Sequence, residues 1–212
     1  MPLTEEQTNG LAELETAKQQ YLSVWNHTAF SSQFDVFVAE GTHSGYGVYR
    51  EHIPANVFRP GETIVLYLEP IGFGHQPIAD ASSQHISNNS TTSRTLYWIN
   101  MTADMIISDS SGSELQAFED LPAVSFISHR QNTEFSFILT LTQEQPFPDG
   151  DYIITYIIND EVSGQSFEID KMISIDGDAV TGALPLPDIG SDNSMQQPQQ
   201  QQLEERSQAL ES

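Results

Sequence analysis

From Gln33 to Ile175 apolar residues return at every second position, in one short run after another. Phe34, Val36 and Val38 alternate with Asp35 and Phe37, and Ile64, Leu66 and Leu68 alternate with Val65, Tyr67 and Glu69. Tyr97, Ile99, Met101, Ala103, Met105 and Ile107 share one parity, opposite Asn100, Thr102 and Asp104. Phe135, Phe137, Leu139 and Leu141 repeat the pattern, as do Tyr152, Ile154, Tyr156 and Ile158, then Phe167, Ile169, Ile173 and Ile175. Successive strand side chains point to opposite faces, so this period puts one face on a core and the other in water. Roughly seven to nine such strands without a central helix predict an all-β fold, an immunoglobulin-like antiparallel β-sandwich over 31–176. The turns agree: Arg59-Pro60-Gly61-Glu62, Asp109-Ser110-Ser111-Gly112-Ser113 and Asp160-Glu161-Val162-Ser163-Gly164 fall between runs. Asp149-Gly150-Asp151-Tyr152 is similar to the tyrosine corner of such sandwiches, in which a Tyr hydroxyl bonds back to the chain.

The flanks follow other rules. Residues 1–30 predict a helical arm: Thr4 and Gln7 form a capping-box pattern, with Glu5 and Glu6 at the positive end of the dipole. Leu11, Leu14, Lys18, Tyr21, Leu22 and Trp25 recur at helical spacing as a narrow stripe. That stripe has two destinations, the edge of its own sandwich or a partner helix. Residues 76–95 are a long polar insertion. Residues 177–212 are an acidic, Gln-rich tail whose composition predicts disorder.

Thirty acidic residues against seven basic ones give a formal charge of −23. Phosphate binding needs clustered Lys and Arg, so nucleic acid is an unsuitable partner, and an anionic membrane surface is disfavoured likewise. Cysteine is absent, which removes disulfides, thiolate metal sites and thiol nucleophiles. No stretch has the ~20 apolar residues of a membrane span. The first residues lack the basic start and apolar core of a signal peptide, so either the protein stays inside the cell or a leader has been removed.

Few constellations carry chemistry. The histidines (His27, His43, His52, His75, His85 and His129) show no ligand spacing, although His43, His52 and His75 with Glu40 or Glu69 form a conceivable copper or zinc set. Acidic turns such as Asp149-Gly150-Asp151 match no EF-hand loop, and turn chemistry accounts for them. There is no Gly-x-Ser-x-Gly elbow, Walker loop or dinucleotide fingerprint. A glycosidase would need two carboxylates across a cleft, for which Glu40, Glu62 and Glu69 are the candidates. No cofactor is expected. Tyr46, Tyr49, Arg50, Tyr67, Glu69 and Phe73 form the candidate binding surface, because amphipathic rings with an Arg suit a protein or sugar interface. The competing reading is that most of them fill the core. Asn26, Asn88, Asn89 and Asn100 head Asn-x-Ser/Thr triplets and are candidate glycosylation sites.

Three segments occur in order: Gly45-Tyr46-Gly47-Val48-Tyr49, then Asn56-Val57-Phe58-Arg59-Pro60-Gly61-Glu62, then Tyr67-Leu68-Glu69-Pro70-Ile71-Gly72. Together they resemble a motif series of uncharacterised, exported prokaryotic β-sandwich proteins, over about residues 15–175. The resemblance implies a shared sandwich and an envelope location, and no catalytic residues. The expected function is a non-enzymatic extracytoplasmic domain, secreted or in the cell envelope, with a protein or glycan partner at the cell surface. The alternatives are a carbohydrate-binding or carbohydrate-active module and a metal-handling envelope protein.

Overall fold

The computed structural model describes residues 3–79 and 95–184. It opens on α1 (Glu5–Trp25), started by the reciprocal capping box of Thr4 and Gln7. Two long hairpins and several shorter strands then make a strand-rich chain. A three-stranded antiparallel sheet has the order β1 (Ser31–Phe37), β4 (Ile64–Ile71), β8 (Phe137–Leu141). A larger sheet runs β3 (Val57–Phe58), β10 (Gln165–Ile175), β9 (Gly150–Asp160), β6 (Thr95–Asp109), β5 (Gln76–Ala79), with β7 (Glu114–Ser128) also paired to β6. The small pair β2 (His52–Ile53) and β11 (Gly182–Ala183) stands apart.

One core joins the two main sheets. Ile64, Leu66 and Leu68 of β4 and Phe137, Leu139 and Leu141 of β8 cluster with Ile99 to Ile107 of β6, Ile154 to Ile158 of β9, and Ile173 and Ile175 of β10. The parity read from the sequence is the one buried: Ile99, Met101, Ala103, Met105 and Ile107 are all at most 2% exposed. The Tyr152 hydroxyl donates to the Pro148 carbonyl at 2.9 Å, the backward bond that the Asp149–Tyr152 run predicts.

Several features differ from expectation. The pair β3·β10 is parallel, so the large sheet is mixed rather than antiparallel throughout. The strands β6 and β7 are long, 15 residues each. Their ladder shifts register three times, which is why β7 shows no simple alternation in sequence. In β1 the expected faces are exchanged: Phe37 enters the main core, whereas Val36 and Val38 join Val65, Tyr67 and Tyr49 in a second cluster on the outer face. Past residue 176 the chain is still bonded to the fold, since β11 pairs with β2 and the Leu184 N–H donates to the Glu51 carbonyl at 2.9 Å. The Gln-rich run and residues 80–94 of the polar insertion lie outside the described residues.

The arm does not lie along a sheet edge. Only Trp25 of α1 is buried; Leu11, Leu14, Tyr21 and Val24 are 50% exposed or more. The helix is held by its last turn. The Trp25 ring packs edge-on to Phe73 at 5.0 Å, and its indole N–H donates to the Phe73 carbonyl at 3.0 Å. The loop Gly72–His75 makes this possible by close approach. A Cβ on Gly72, which sits at φ +72°, would lie 2.5 Å from the Ala29 carbonyl oxygen, and one on Gly74 would lie 2.8 Å from Val162 Cγ1. The opposite side of the same loop is clasped by buried Asp160. Its carboxylate accepts from the Gly74 N–H (2.6 Å), the Val162 N–H (3.0 Å) and the Ser163 hydroxyl (2.5 Å).

Candidate functional site

Strand β4 is unusual in burying both faces: every residue from Ile64 to Leu68 is at most 3% exposed. Its inner face meets the main core, and its outer face is covered by the segment between β1 and β2. That segment is pinned at the tip of Tyr67. The Tyr67 hydroxyl donates to Glu69 Oε1 at 2.5 Å and accepts the Gly47 N–H at 2.7 Å. Gly47 has φ +67° and turns the chain between the bridged residues Gly45 and Val48. Tyr49 packs on the Tyr67 ring at 4.4 Å and stacks on Phe34 at 5.9 Å. The His43 ring lies 5.2 Å from that of Tyr67, and its Nε2 is 3.2 Å from the Ser136 hydroxyl.

The six candidate surface residues therefore divide. Tyr46, Tyr49 and Glu69 come together here, with Tyr67 beneath them as a buried organiser rather than a contact residue. Phe73 does not belong to the surface. It is 1% exposed and fills the core beside Trp25 and Phe135. Arg50 is exposed and enters through its backbone, whose carbonyl accepts from the Ala39 N–H and the Thr42 hydroxyl.

Residues not singled out in the sequence complete the face. In the sheet ladder Phe34 is opposite Glu69, and Ile138 is opposite Tyr67, so their side chains share its outer side. Phe34, Tyr46, Val48 and Ile138 are 38–54% exposed there. The continuous apolar run Ile64-Val65-Leu66-Tyr67-Leu68 is the sequence signal for a strand covered on both sides, and hence for a segment lying over it.

The face is apolar at its surface and acidic around it. Burial, then Glu69 and Glu134, push the Tyr46 phenol above its usual range; burial, then Glu51 and Glu69, do the same to Tyr49. Burial and the bond to Glu69 raise Tyr67. These hydroxyls stay protonated at neutral pH and serve as hydrogen-bond donors, not as bases.

The histidines are engaged separately. His43 meets Ser136, and buried His52 holds the Pro54 carbonyl at 2.7 Å and Glu62 at 3.0 Å while stacking on Phe58. His75 reaches the Asn132 carbonyl at 2.7 Å. Among the described residues no three His, Asp or Glu converge on a metal position; His85 lies outside them. Glu62 and Glu69 do not meet across a cleft, since they lie near opposite ends of β4, about 20 Å apart at strand rise. Two of the acidic turns are engaged with backbone: Asp149 of the first accepts from the Gly177 N–H of the second at 3.1 Å, and Asp176 accepts from the Asp178 N–H within its own turn at 2.9 Å. Asn26 is exposed at the end of α1 and Asn100 half-buried on β6, while Asn88 and Asn89 lie outside the described residues. No described helix is long and apolar enough to cross a membrane. Compared with known proteins, the chain matches no protein-family model and no curated protein.

Proposed function

We propose that the chain is a non-enzymatic interaction domain of immunoglobulin-like β-sandwich type that works outside the cytoplasm and docks a protein through the outer face of β1·β4·β8. One observation carries this reading: Phe34 and Ile138, on the outer side of β1·β4·β8, and Tyr46 and Val48, in the segment laid over it, each expose apolar surface, and Tyr67 fixes that segment from below. A rigid, amphipathic patch of aromatic and aliphatic residues with protonated phenols at its border has the composition of a protein-binding core. Its acidic surroundings favour a partner with a basic rim. The motif resemblance and the Asn-x-Ser/Thr triplets support the extracytoplasmic setting, and the immunoglobulin-like reading draws support from the shared core of two sheets and the Tyr152 corner. A second reading, a carbohydrate-binding module, draws support from the exposed Tyr46 ring beside Glu69.

The test is capture from the native envelope fraction with wild-type domain and with Val48→Glu/Ile138→Glu. A partner held by the wild type and lost by the folded double variant is the expected result. Capture that survives both changes would remove the face from the interface. Binding to a glycan panel that disappears in Tyr49→Ala, with the fold intact, would transfer the site to the second reading.

A further inference from the structure

The side of α1 that ends in buried Trp25 has a periodicity that its own fold uses only at the last turn. Thr4, Gln7, Leu11, Leu14, Lys18, Tyr21 and Trp25 follow one another at alternating steps of three and four. Beside them runs a row at every seventh residue, Leu3, Gly10, Ala17 and Val24, all of them apolar. A seam of this period suits a second helix, and no sheet among the described residues covers it between Leu3 and Tyr21. Leu3, Leu11, Leu14, Tyr21 and Val24 are 50–68% exposed. Gly10 sits in mid-helix, where glycine is unfavourable, yet a Cβ there would meet nothing within 4 Å. Within its own chain the missing side chain makes room for nothing.

We propose that α1 is a self-pairing element through which two copies of the chain join, with their helices antiparallel and centred near Glu13. Charge selects the direction. In a parallel, in-register pair Lys18 would meet Lys18 in the seam. In the antiparallel register Leu11 of one copy lies against Leu14 of the other, twice. Lys18, the one cation of α1, then falls beside Gln7 and the acidic first turn of Glu5 and Glu6. The flanking row is satisfied by the same register: Gly10 meets Ala17, so the backbones approach closely, and Leu3 meets Val24. The two β domains are carried to opposite ends of the helix pair, about 30 Å apart along the axis.

Sedimentation of the full chain at ~100 µM tests this, with dimerisation expected to tighten from ~20 mM to ~500 mM salt. The salt dependence follows because each copy carries −23 and the seam itself is apolar. Leu11→Glu and Leu14→Glu, at exposed positions, should each weaken the dimer about tenfold or more while leaving the melting temperature of the β domain unchanged. Direction is read by cysteine pairing, which the Cys-free chain makes clean. Gly10→Cys mixed with Ala17→Cys should give the mixed disulfide, and neither alone should cross-link, since like positions are about 10 Å apart along the axis. Homotypic Ala17→Cys linkage would overturn the antiparallel register. A dimer indifferent to both Glu variants, or a monomer under these conditions, would overturn self-pairing. So would a monomer that floats with phosphatidylcholine vesicles, which would assign the seam to lipid.

Discussion

Asp160→Asn separates two opposed effects of one buried charge. The carboxylate is 1% exposed and, among the described residues, has three donors and no cationic partner. Its Oδ2 takes the Gly74 N–H and the Ser163 hydroxyl, and its Oδ1 takes the Val162 N–H. An asparagine keeps one acceptor. Turned toward Gly74 and Ser163, it presents its NH2 to the Val162 N–H, so one bond is lost and a donor faces a donor. The two retained bonds fall from charge-assisted to neutral strength, a loss of about 1 kcal/mol each, and the orphaned donor adds about 1 kcal/mol more. Removing the anion also relieves its desolvation, which works the other way. The bonds are short and complete, so we expect a net destabilisation of about 2–3 kcal/mol. For a chain of this size that lowers the melting temperature by roughly 5–10 °C. Urea titration followed by tryptophan fluorescence is the suitable assay, because Trp25 packs on Phe73 next to Gly74. An unchanged or raised midpoint would refute the reasoning and show that burying the charge costs as much as its bonds return.

Tyr156 gives the complementary case: it is fully buried and its hydroxyl has no partner among the described residues, and burial drives its ionisation far up. Tyr156→Phe should leave stability unchanged or raise it by about 1 kcal/mol, read by the same titration. Gly72→Ala should cost about 2 kcal/mol or more, through the clash with the Ala29 carbonyl and the positive φ, and should expose Trp25 to a soluble quencher. Burial pushes the Glu62 carboxyl up, but the Arg59 N–H, His52 and Thr181 outweigh it and hold it below the usual range. Its contribution is therefore complete above the unfolded carboxylate value of about 4.3 and is lost as pH falls below it. In Glu62→Gln the wild-type fall in stability between about pH 5 and pH 3 should flatten.

Much of the fold was legible because alternation reports one buried face. Met101, Met105, Ile154 and Ile158 are in the core that their spacing predicted. The reading failed where a strand has cover on both sides. Alternation assigned Phe34 and Val36 to the main core, yet they lie on the outer face, since the 42–50 segment makes a second apolar environment there. No local pattern announces a covering segment; the two-sided run Ile64–Leu68 is the one trace of it. The candidate site was half legible for the same reason. Aromatic type picked out Tyr46 and Tyr49, which the structure brings together on the outer face, but could not tell them from Phe73, which is buried beside the close contacts of Gly72 and Gly74. For the helix, spacing gave the stripe but not its destination, which depends on where Trp25 alone can dock.

The placement of Trp25 has a mechanical consequence. Because it precedes β1 in the chain, a pull on the N-terminal arm reaches the domain first at the Trp25–Phe73 contact, and only afterwards at the β1·β4 ladder. The contact is a single ring and a single hydrogen bond, whereas the ladder is a row of them. Tension would break this contact, and then the packing of Thr28 and Ala29 on Gly72, before any strand is sheared. The arm is thus fastened by a breakaway link that shields the sheets behind it.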